Sequence, residues 1–206
     1  MEEYLSTDSF SKKSKFSREN SLFRKPRNEP DIKIYSFSKI ISEILMDLCE
    51  ERKSNSDSKK HLLKPFISKK IPTISIKDYI ERLTKYGRTF DEIVIIILIY
   101  IDTVCAKHDI HLNYYNIHKL IFAAFIVAIK FYEDKYYSIQ YYAKLGGISK
   151  KEAINLEYEF MSLMDFNLFI KPELYEKYYK NLCNLEDNDD DVDVDVDEDE
   201  CCKILM

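Results

Sequence analysis

The chain has 206 residues, enough for one sizeable hydrophobic core with flanking segments. It contains only three glycines, and no proline lies between Pro72 and Pro172, which excludes a turn-rich sandwich of strands and favours stacked helices. The net charge of −5 is uneven, because residues 186–200 carry eleven acids, whereas the rest of the chain carries 31 basic and 25 acidic residues. This mildly basic body lacks the clustered positive charge typical of nucleic-acid-binding proteins.

The sequence divides into five segments. Residues 1–32 are rich in Ser, Lys, Arg and Asn and predict a disordered N-terminal segment. Residues 33–51 predict an amphipathic helix, because apolar side chains recur at helical spacing. These apolar residues are Ile34, Phe37, Ile41, Ile44, Leu45 and Leu48. Residues 52–65 form a polar linker, 66–183 the main domain, and 184–206 a disordered acidic tail.

The first two helices of the main domain are predicted from caps and a glycine. Ser75 is the predicted N-cap of a helix that ends at Gly87. Either Thr89 or Asp91 starts the second helix, which extends to about Lys107. Its isoleucines favour strands intrinsically, but the long run without a breaker indicates a buried helix instead.

The third and fourth helices follow the same signals. Asn113 is the predicted N-cap of the third helix, which extends to about Tyr132 and is so apolar that it must be buried on nearly every side. Ser138 caps a short fourth helix, and the pair Gly146 and Gly147 ends it.

Two more helices complete the prediction. Ser149 and Glu152 form a capping box that opens the fifth helix, which runs to about Asp165. Pro172 suits the first turn of a final helix that reaches Leu182.

Motifs of catalysis and metal binding are weak in this chain. The sequence contains no phosphate-binding glycine loop, no nucleophile elbow and no catalytic-triad pattern, so we predict no enzymatic activity, no catalytic residue and no cofactor. His108, His111 and His118 lie close together near Cys105 and raise the possibility of a metal site. They share no fixed helix face, so we favour exposed or capping histidines and predict no metal ligand.

The chain has five cysteines, an odd number, and no pair of them has metal-ligand spacing. The N-terminal sequence Met-Glu-Glu-Tyr does not resemble a signal peptide. Together these features predict a reduced, intracellular protein. The apolar run 93–101 is too short to cross a bilayer. The C-terminal sequence suggests prenylation, but Lys203 occupies the position that needs cysteine. Abundant Tyr, Asn, Lys and Ile without Trp indicate an AT-rich genome, which predicts a protist source.

Five helices in this order resemble a cyclin box. Several stretches, including Ala-Ile-Lys-Phe at 128–131, are similar to those of P-type cyclins, the phosphate-signalling class also called P/U-type. The matching stretches are residues 66–83, 97–102, 116–120, 128–131, 142–149, 156–160 and 165–168. The resemblance implies an all-α fold with a single five-helix cyclin box, an N-terminal amphipathic helix and disordered tails.

The resemblance also implies a function and a site. It predicts a regulatory subunit that binds a cyclin-dependent protein kinase as a heterodimer and activates it. The predicted role is in cell-cycle progression, in the nucleus, the cytoplasm or both. Lys130 and Glu157 match a lysine and a glutamate that face the kinase in this family and bond backbone groups around its C-helix. Spacing alone favours a simple surface ion pair, and the family motif reverses that preference.

The resemblance also predicts a structural ion pair, and one alternative function stays open. Arg82 and Asp102 match a buried ion pair that ties the first two helices of the box together, and we interpret them as structural. The resemblance implies no nucleic acid, membrane or small-molecule cofactor as partner. The alternative function is a cyclin-fold scaffold or a transcription-factor-like adaptor that does not activate a kinase.

Overall fold

The computed structural model describes residues 37–51, 63–87, 89–90 and 92–189, and every regular element in these ranges is helical. The seven α-helices are α1 (Phe37–Glu51), α2 (Ile76–Gly87), α3 (Ile93–His108), α4 (Ile117–Tyr132), α5 (Ile139–Gly146), α6 (Lys150–Leu163) and α7 (Pro172–Asp189). A 3₁₀ turn over Lys64–Phe66 precedes α2. The all-α prediction is confirmed. The segment 1–32, most of the linker 52–65 and residues 190–206 of the predicted tail lie outside the described residues. Residues 184–189 of that tail are helical, because α7 continues beyond the predicted end at Leu182.

Helix α4 lies at the centre of the domain. Residues 120–129 are each at most 2% exposed. Helices α2, α3 and α6 all pack against α4. Because each large aliphatic side chain contributes about 1.5–3 kcal/mol when it is buried, this one helix supplies a large share of the core.

Two glycines allow α2 and α5 to approach α4 closely. A Cβ atom at Gly87 would lie 2.4 Å from Cζ of Phe125, and a Cβ atom at Gly146 would lie 2.4 Å from Cε2 of Phe122. A close-packed interior has no room for either methyl group, so both positions need glycine for contact rather than for backbone freedom.

Replacing Gly146 with alanine is expected to lower the free energy of unfolding by about 1–3 kcal/mol, because the added methyl group overpacks against Phe122. Urea denaturation measures this change. The control is Lys144→Ala on the exposed side of the same helix, which should alter stability by less than about 0.5 kcal/mol. An unchanged stability for Gly146→Ala would show that α5 can shift away from α4 at no cost.

Helix α1 buries its apolar stripe against the domain itself. Ile41 and Leu45 are fully buried, and the helix packs on α2, α3 and α7. The ring of Phe37 meets that of Tyr179 edge to face, with 5.4 Å between centroids. Three members of the stripe, Phe37, Ile41 and Leu45, are therefore buried within the described part of the chain, whereas Ile44 and Leu48 remain partly exposed.

The predicted serine caps are confirmed. Ser75, Ser138 and Ser149 each accept a hydrogen bond from the backbone N–H three residues further on. Only one half of the capping box forms, because the carboxylate of Glu152 pairs with Lys119 at 2.8 Å instead of returning to the Ser149 amide.

Two predicted helix starts were wrong. Asn113 does not cap α4: its side chain accepts a hydrogen bond within the preceding turn, and the helix begins four residues later. Thr89 does not cap α3, since its hydroxyl group donates to the carboxylate of Glu133 at 3.5 Å. The other candidate, Asp91, lies outside the described residues.

Candidate functional site

Lys130 and Glu157 form an ion pair on the surface of the domain, in which both carboxylate oxygens bind the ammonium group. The ammonium nitrogen of Lys130 lies 2.6 Å from Oε1 and 2.7 Å from Oε2 of Glu157. The lysine side chain is 30% exposed and the glutamate side chain 14% exposed. The pair is thus half-buried, with its position fixed and its outer edge open to a partner.

The neighbouring core fixes the two side chains. Lys130 directly follows the buried run of residues 120–129 in α4, and its side chain reaches the surface. Helix α6 buries a stripe at helical spacing, and Glu157 follows one member of that stripe. The stripe consists of Ala153, Leu156, Phe160 and Leu163. Because α4 and α6 pack together, the carboxylate at the edge of the stripe meets the ammonium group.

Exposed apolar side chains accompany the ion pair along α6 and just beyond it. Ile154 and Tyr158 lie within one turn of Glu157 and are 48% and 59% exposed. Phe166 and Phe169 follow the end of the helix and are 62% and 47% exposed. Exposed apolar side chains that follow one another along a helix and the next turn are typical of interaction surfaces, and no sequence pattern pointed to them.

The turn after α6 holds Phe166 in a strained conformation. Asp165 and Phe166 both adopt positive φ angles, 51° and 57°. This left-handed region costs a non-glycine residue about 1–2 kcal/mol, so surrounding contacts must maintain it. It also explains why α6 ends at Leu163 rather than near Asp165, as predicted.

Side chains from α3 secure the start of this turn. Lys107 pairs with Asp165, and the Lys107 N–H donates to the Leu163 carbonyl oxygen at 3.4 Å. A ring nitrogen of His108 lies 2.8 Å from the same oxygen. The Lys107 ammonium lowers the pKa of Asp165. Basic groups thus cover the carbonyl end of α6, where the helix dipole favours them.

Two tyrosines secure the other end of the turn. The hydroxyl groups of Tyr100 and Tyr132 donate to the carbonyl oxygen of Leu168 at 2.6 and 3.3 Å. The Tyr132 oxygen also accepts from the Ile170 amide at 3.0 Å. The segment that carries Phe166 is therefore anchored on both sides.

The structure does not bring Arg82 and Asp102 together, and the predicted ion pair is absent from the described residues. The Arg82 guanidinium lies over the ring of Tyr79, 5.2 Å from its centroid, and its Nε has no hydrogen-bond partner among those residues. Asp102 instead accepts a short hydrogen bond from the hydroxyl group of Tyr178 on α7. A phenol has replaced the guanidinium as partner of this carboxylate.

The stability contributed by Asp102 should fall as pH rises. Burial raises the pKa of Asp102, and the hydrogen bond from Tyr178 opposes that effect only in part. The folded protein therefore binds more protons than the unfolded chain between about pH 4 and the raised pKa. Asp102→Asn can still accept from Tyr178, so the stability of this variant relative to the native protein is expected to rise from pH 4 to 7. Urea denaturation at several pH values measures it, and the opposite trend would indicate an ion-paired carboxylate.

The histidines lie in separate places. His118 is buried and its Nε2 lies 3.0 Å from the carbonyl oxygen of Ile74, and burial lowers its pKa. His108 contacts the end of α6. Within the described ranges, no three His, Cys, Asp or Glu side chains are grouped so as to hold a metal ion.

Comparison with known proteins identifies the fold family. The model of the cyclin family, described as Cyclin, matches residues 27–168. The chain is 36% identical over 112 residues to Cyclin-U4-1 of Arabidopsis thaliana, covering 54% of this chain and 55% of that protein. It is 38% identical over 117 residues to the PHO85 cyclin-like protein psl1 of Schizosaccharomyces pombe, covering 55% and 47%.

A further relative is PHO85 cyclin-7 of Saccharomyces cerevisiae, 34% identical over 139 residues, which cover 60% of this chain and 49% of that protein. The chain spans about half the length of these relatives. The resemblance to P-type cyclins is confirmed, whereas the relatives give no support to the predicted protist origin. None of the helices in the described part of the chain has the length and apolarity needed to cross a membrane.

Proposed function

Because the chain belongs to the cyclin family, we propose that it is a regulatory subunit that binds a cyclin-dependent Ser/Thr protein kinase and activates it. The proposal extends to a role in cell-cycle progression and to action in the nucleus, the cytoplasm or both. The subunit has no catalytic residue of its own in this proposal, and the kinase supplies the chemistry.

The Lys130–Glu157 ion pair carries the proposal. An ammonium group has three N–H donors, and the two bonds to Glu157 leave donor capacity at its exposed edge. A carboxylate has about four acceptor positions, so Glu157 can also accept from a partner. The pair can thus bond a backbone carbonyl and a backbone amide of the kinase at the same time, which suits the irregular backbone at the end of a C-helix.

The apolar surface beside the pair supports the same proposal. Ile154, Tyr158 and Phe166 offer exposed side chains that a partner helix can cover. Aromatic anchors of this type carry much of the binding energy at interfaces. Since the segment around Phe166 is already fixed by its anchors, binding costs little ordering of that segment.

Activation follows as a population shift. The chain binds the kinase conformation in which the C-helix lies inward, where the Lys–Glu ion pair of the kinase forms and the activation segment opens. A kinase that is about 1% active when free approaches full activity if the cyclin prefers the active form by about 10⁴-fold, a gain of about 100-fold in rate.

A titration tests the proposal. The purified chain is added to each cyclin-dependent kinase of its own cell, with pull-down to measure binding and phosphate transfer to a Ser/Thr-Pro peptide to measure activity. We expect binding and stimulation with at least one kinase, and no transfer by the chain alone. Binding without stimulation by any kinase would indicate a scaffold, and tight duplex-DNA binding at physiological salt a transcription-factor-like adaptor.

Phe166→Gly is expected to separate binding from stability. The variant should lose about 2 kcal/mol or more of kinase affinity, because an exposed aromatic anchor is removed. Its thermal stability should not fall, since glycine adopts the positive φ angle without the steric cost that phenylalanine has. Tyr86→Ala removes an exposed aromatic ring from α2 and is the control. A large drop in melting temperature would show that Phe166 supports the fold instead.

A further inference from the structure

Four lysines without an ion-pair partner among the described residues lie on one side of the domain. Lys69 and Lys70 are in the bend before α2, and Lys150 and Lys151 are in the first turn of α6. All four are exposed, and none of them pairs with a carboxylate within the described ranges. We refer to these four residues as the lysine patch.

Lys119 of α4 joins the two halves of the lysine patch. Its ammonium nitrogen lies 3.3 Å from the carbonyl oxygen of Ile67, which is two residues before Lys69. The same nitrogen lies 2.8 Å from Oε1 of Glu152, which directly follows Lys151. This ion pair neutralises the acidic residue in the first turn of α6, and the N-terminal end of that helix adds the positive pole of its dipole. The lysine patch is therefore positively charged.

The backbone that carries the lysine patch is held in place by hydrogen bonds. The Ser68 N–H donates to the carbonyl oxygen of Tyr115 at 2.7 Å, next to Lys69. The hydroxyl oxygen of Ser149 caps α6 and accepts from the Glu152 N–H at 3.1 Å. A binding partner therefore needs to order only the lysine side chains, which lowers the entropic cost of binding.

The chain itself contains a segment of complementary charge. Eight of the eleven residues 190–200 are acidic, and the other three are valine. These residues, the acidic segment, directly follow α7, which ends at Asp189. Eleven residues span up to about 36 Å when fully extended, whereas a small domain is about 30 Å across. The acidic segment is therefore long enough to reach a distant patch on the same domain.

We propose that the acidic segment binds the lysine patch of the same chain. The contact is autoinhibitory, because an acidic segment of another protein can use the patch only by displacing the tail. A tethered segment has an effective concentration of about 1 mM, so a Kd of about 0.5 mM keeps the patch occupied about two-thirds of the time. The inference does not rest on kinase activation.

Carbodiimide cross-linking, which joins a lysine to a carboxylate in contact with it, tests the proposal on the full chain. We expect the lysine patch to provide more than half of the cross-links between the acidic segment and lysines of the described residues. Raising the salt concentration from 0.1 M to 1 M should lower their yield at least threefold. The reason is that the Debye length falls from about 10 Å to about 3 Å.

Fluorescence anisotropy measures the competition. The probe is a fluorescein-labelled peptide with the sequence of residues 190–200, and the control peptide carries the corresponding amides, Asn and Gln. The probe is added to the native chain and to a full-length variant in which the same eight acids are replaced by amides. We expect it to bind this neutral-tail variant with a Kd below about 0.5 mM and at least threefold more tightly than the native chain, because the native tail competes. The control peptide should not bind.

Matched substitutions locate the binding. Replacing all four lysines of the patch with glutamine in the neutral-tail variant is expected to weaken probe binding at least tenfold. The control makes the same change in net charge at four exposed lysines elsewhere, and it should weaken binding at most about twofold. These control positions are Lys85, Lys135, Lys171 and Lys177. Circular dichroism verifies that each variant is folded.

Four outcomes would overturn the inference. Equal effects of the two sets of lysine substitutions would show that the probe responds to net charge rather than to the lysine patch. Equal probe binding by the native chain and the neutral-tail variant would show that the patch is open. Cross-links mainly to lysines of residues 1–62 would assign the acidic segment to the N-terminal part of the chain. Cross-linked dimers whose yield rises with protein concentration would assign the patch to the tail of a second copy.

Discussion

Exchanging the two members of the central ion pair, as Lys130→Glu with Glu157→Lys, is expected to abolish kinase activation while the protein remains folded. The exchanged charges can pair with each other again, so the bond between α4 and α6 is retained. The kinase, however, meets a carboxylate where its carbonyl needs a donor and an ammonium group where its amide needs an acceptor. Mispaired charges at an interface cost about 2–5 kcal/mol, which corresponds to a loss of affinity of about 30-fold or more.

The measurement is kinase binding and phosphate transfer alongside thermal unfolding. Lys119→Ala provides the matched control, because Lys119 and Glu152 form a second ion pair between the same two helices. Its loss should leave kinase activation unchanged. If the exchange variant activates the kinase as well as the native chain does, the pair serves only to join α4 to α6, and the docking role is disproved.

Helix starts were predictable from the sequence where they depend on hydrogen bonds between residues a few positions apart. A serine oxygen that caps a helix needs only the amide three residues ahead, so Ser138 and Ser149 identified helix starts correctly. Asn113 failed as a cap because the nearby Asn116 competes for the same turn. Its amide oxygen accepts from the Asn113 N–H, and its amide nitrogen donates to the His111 carbonyl. Two asparagines so close together leave the helix start undecided from sequence.

Contacts between distant segments were not predictable from local chemistry. Lys130 and Glu157 are 27 residues apart, and only the family resemblance predicted that they meet. The same resemblance gave Arg82 as the partner of Asp102, whereas Tyr178, 76 residues further on, takes that place. That tyrosine lies on the final helix, beyond the stretches in which the resemblance was found.

The strained turn after α6 illustrates a third limit. A bulky residue such as phenylalanine rarely adopts a positive φ angle, so no sequence rule predicts this backbone conformation at Phe166. The conformation depends on contacts with side chains of α3, such as Lys107 and Tyr100. These side chains come close to the turn only once the domain has folded. Sites held by tertiary contacts against local preference are where function is often found.

Placing aspartate at both Ile41 and Leu45 is expected to produce the largest loss of stability. Both side chains are fully buried where α1 packs on the domain. Each change removes an aliphatic group, at a cost of about 2–5 kcal/mol, and adds a carboxylate that has no partner in the core. Since whole domains have only about 5–15 kcal/mol of stability, the double variant should detach α1 or fail to fold cooperatively.

Thermal unfolding followed by circular dichroism measures this effect, with a fall in melting temperature of about 15 °C or more for any variant that still unfolds cooperatively. Lys39→Asp reverses a charge on the exposed side of the same helix and is the control, expected to shift the melting temperature by a few degrees at most. Single Leu45→Asp should give about half the effect of the pair. A double variant with native stability but reduced kinase binding would mean that the α1 stripe contacts the kinase rather than α2, α3 and α7, and would contradict the packing described above.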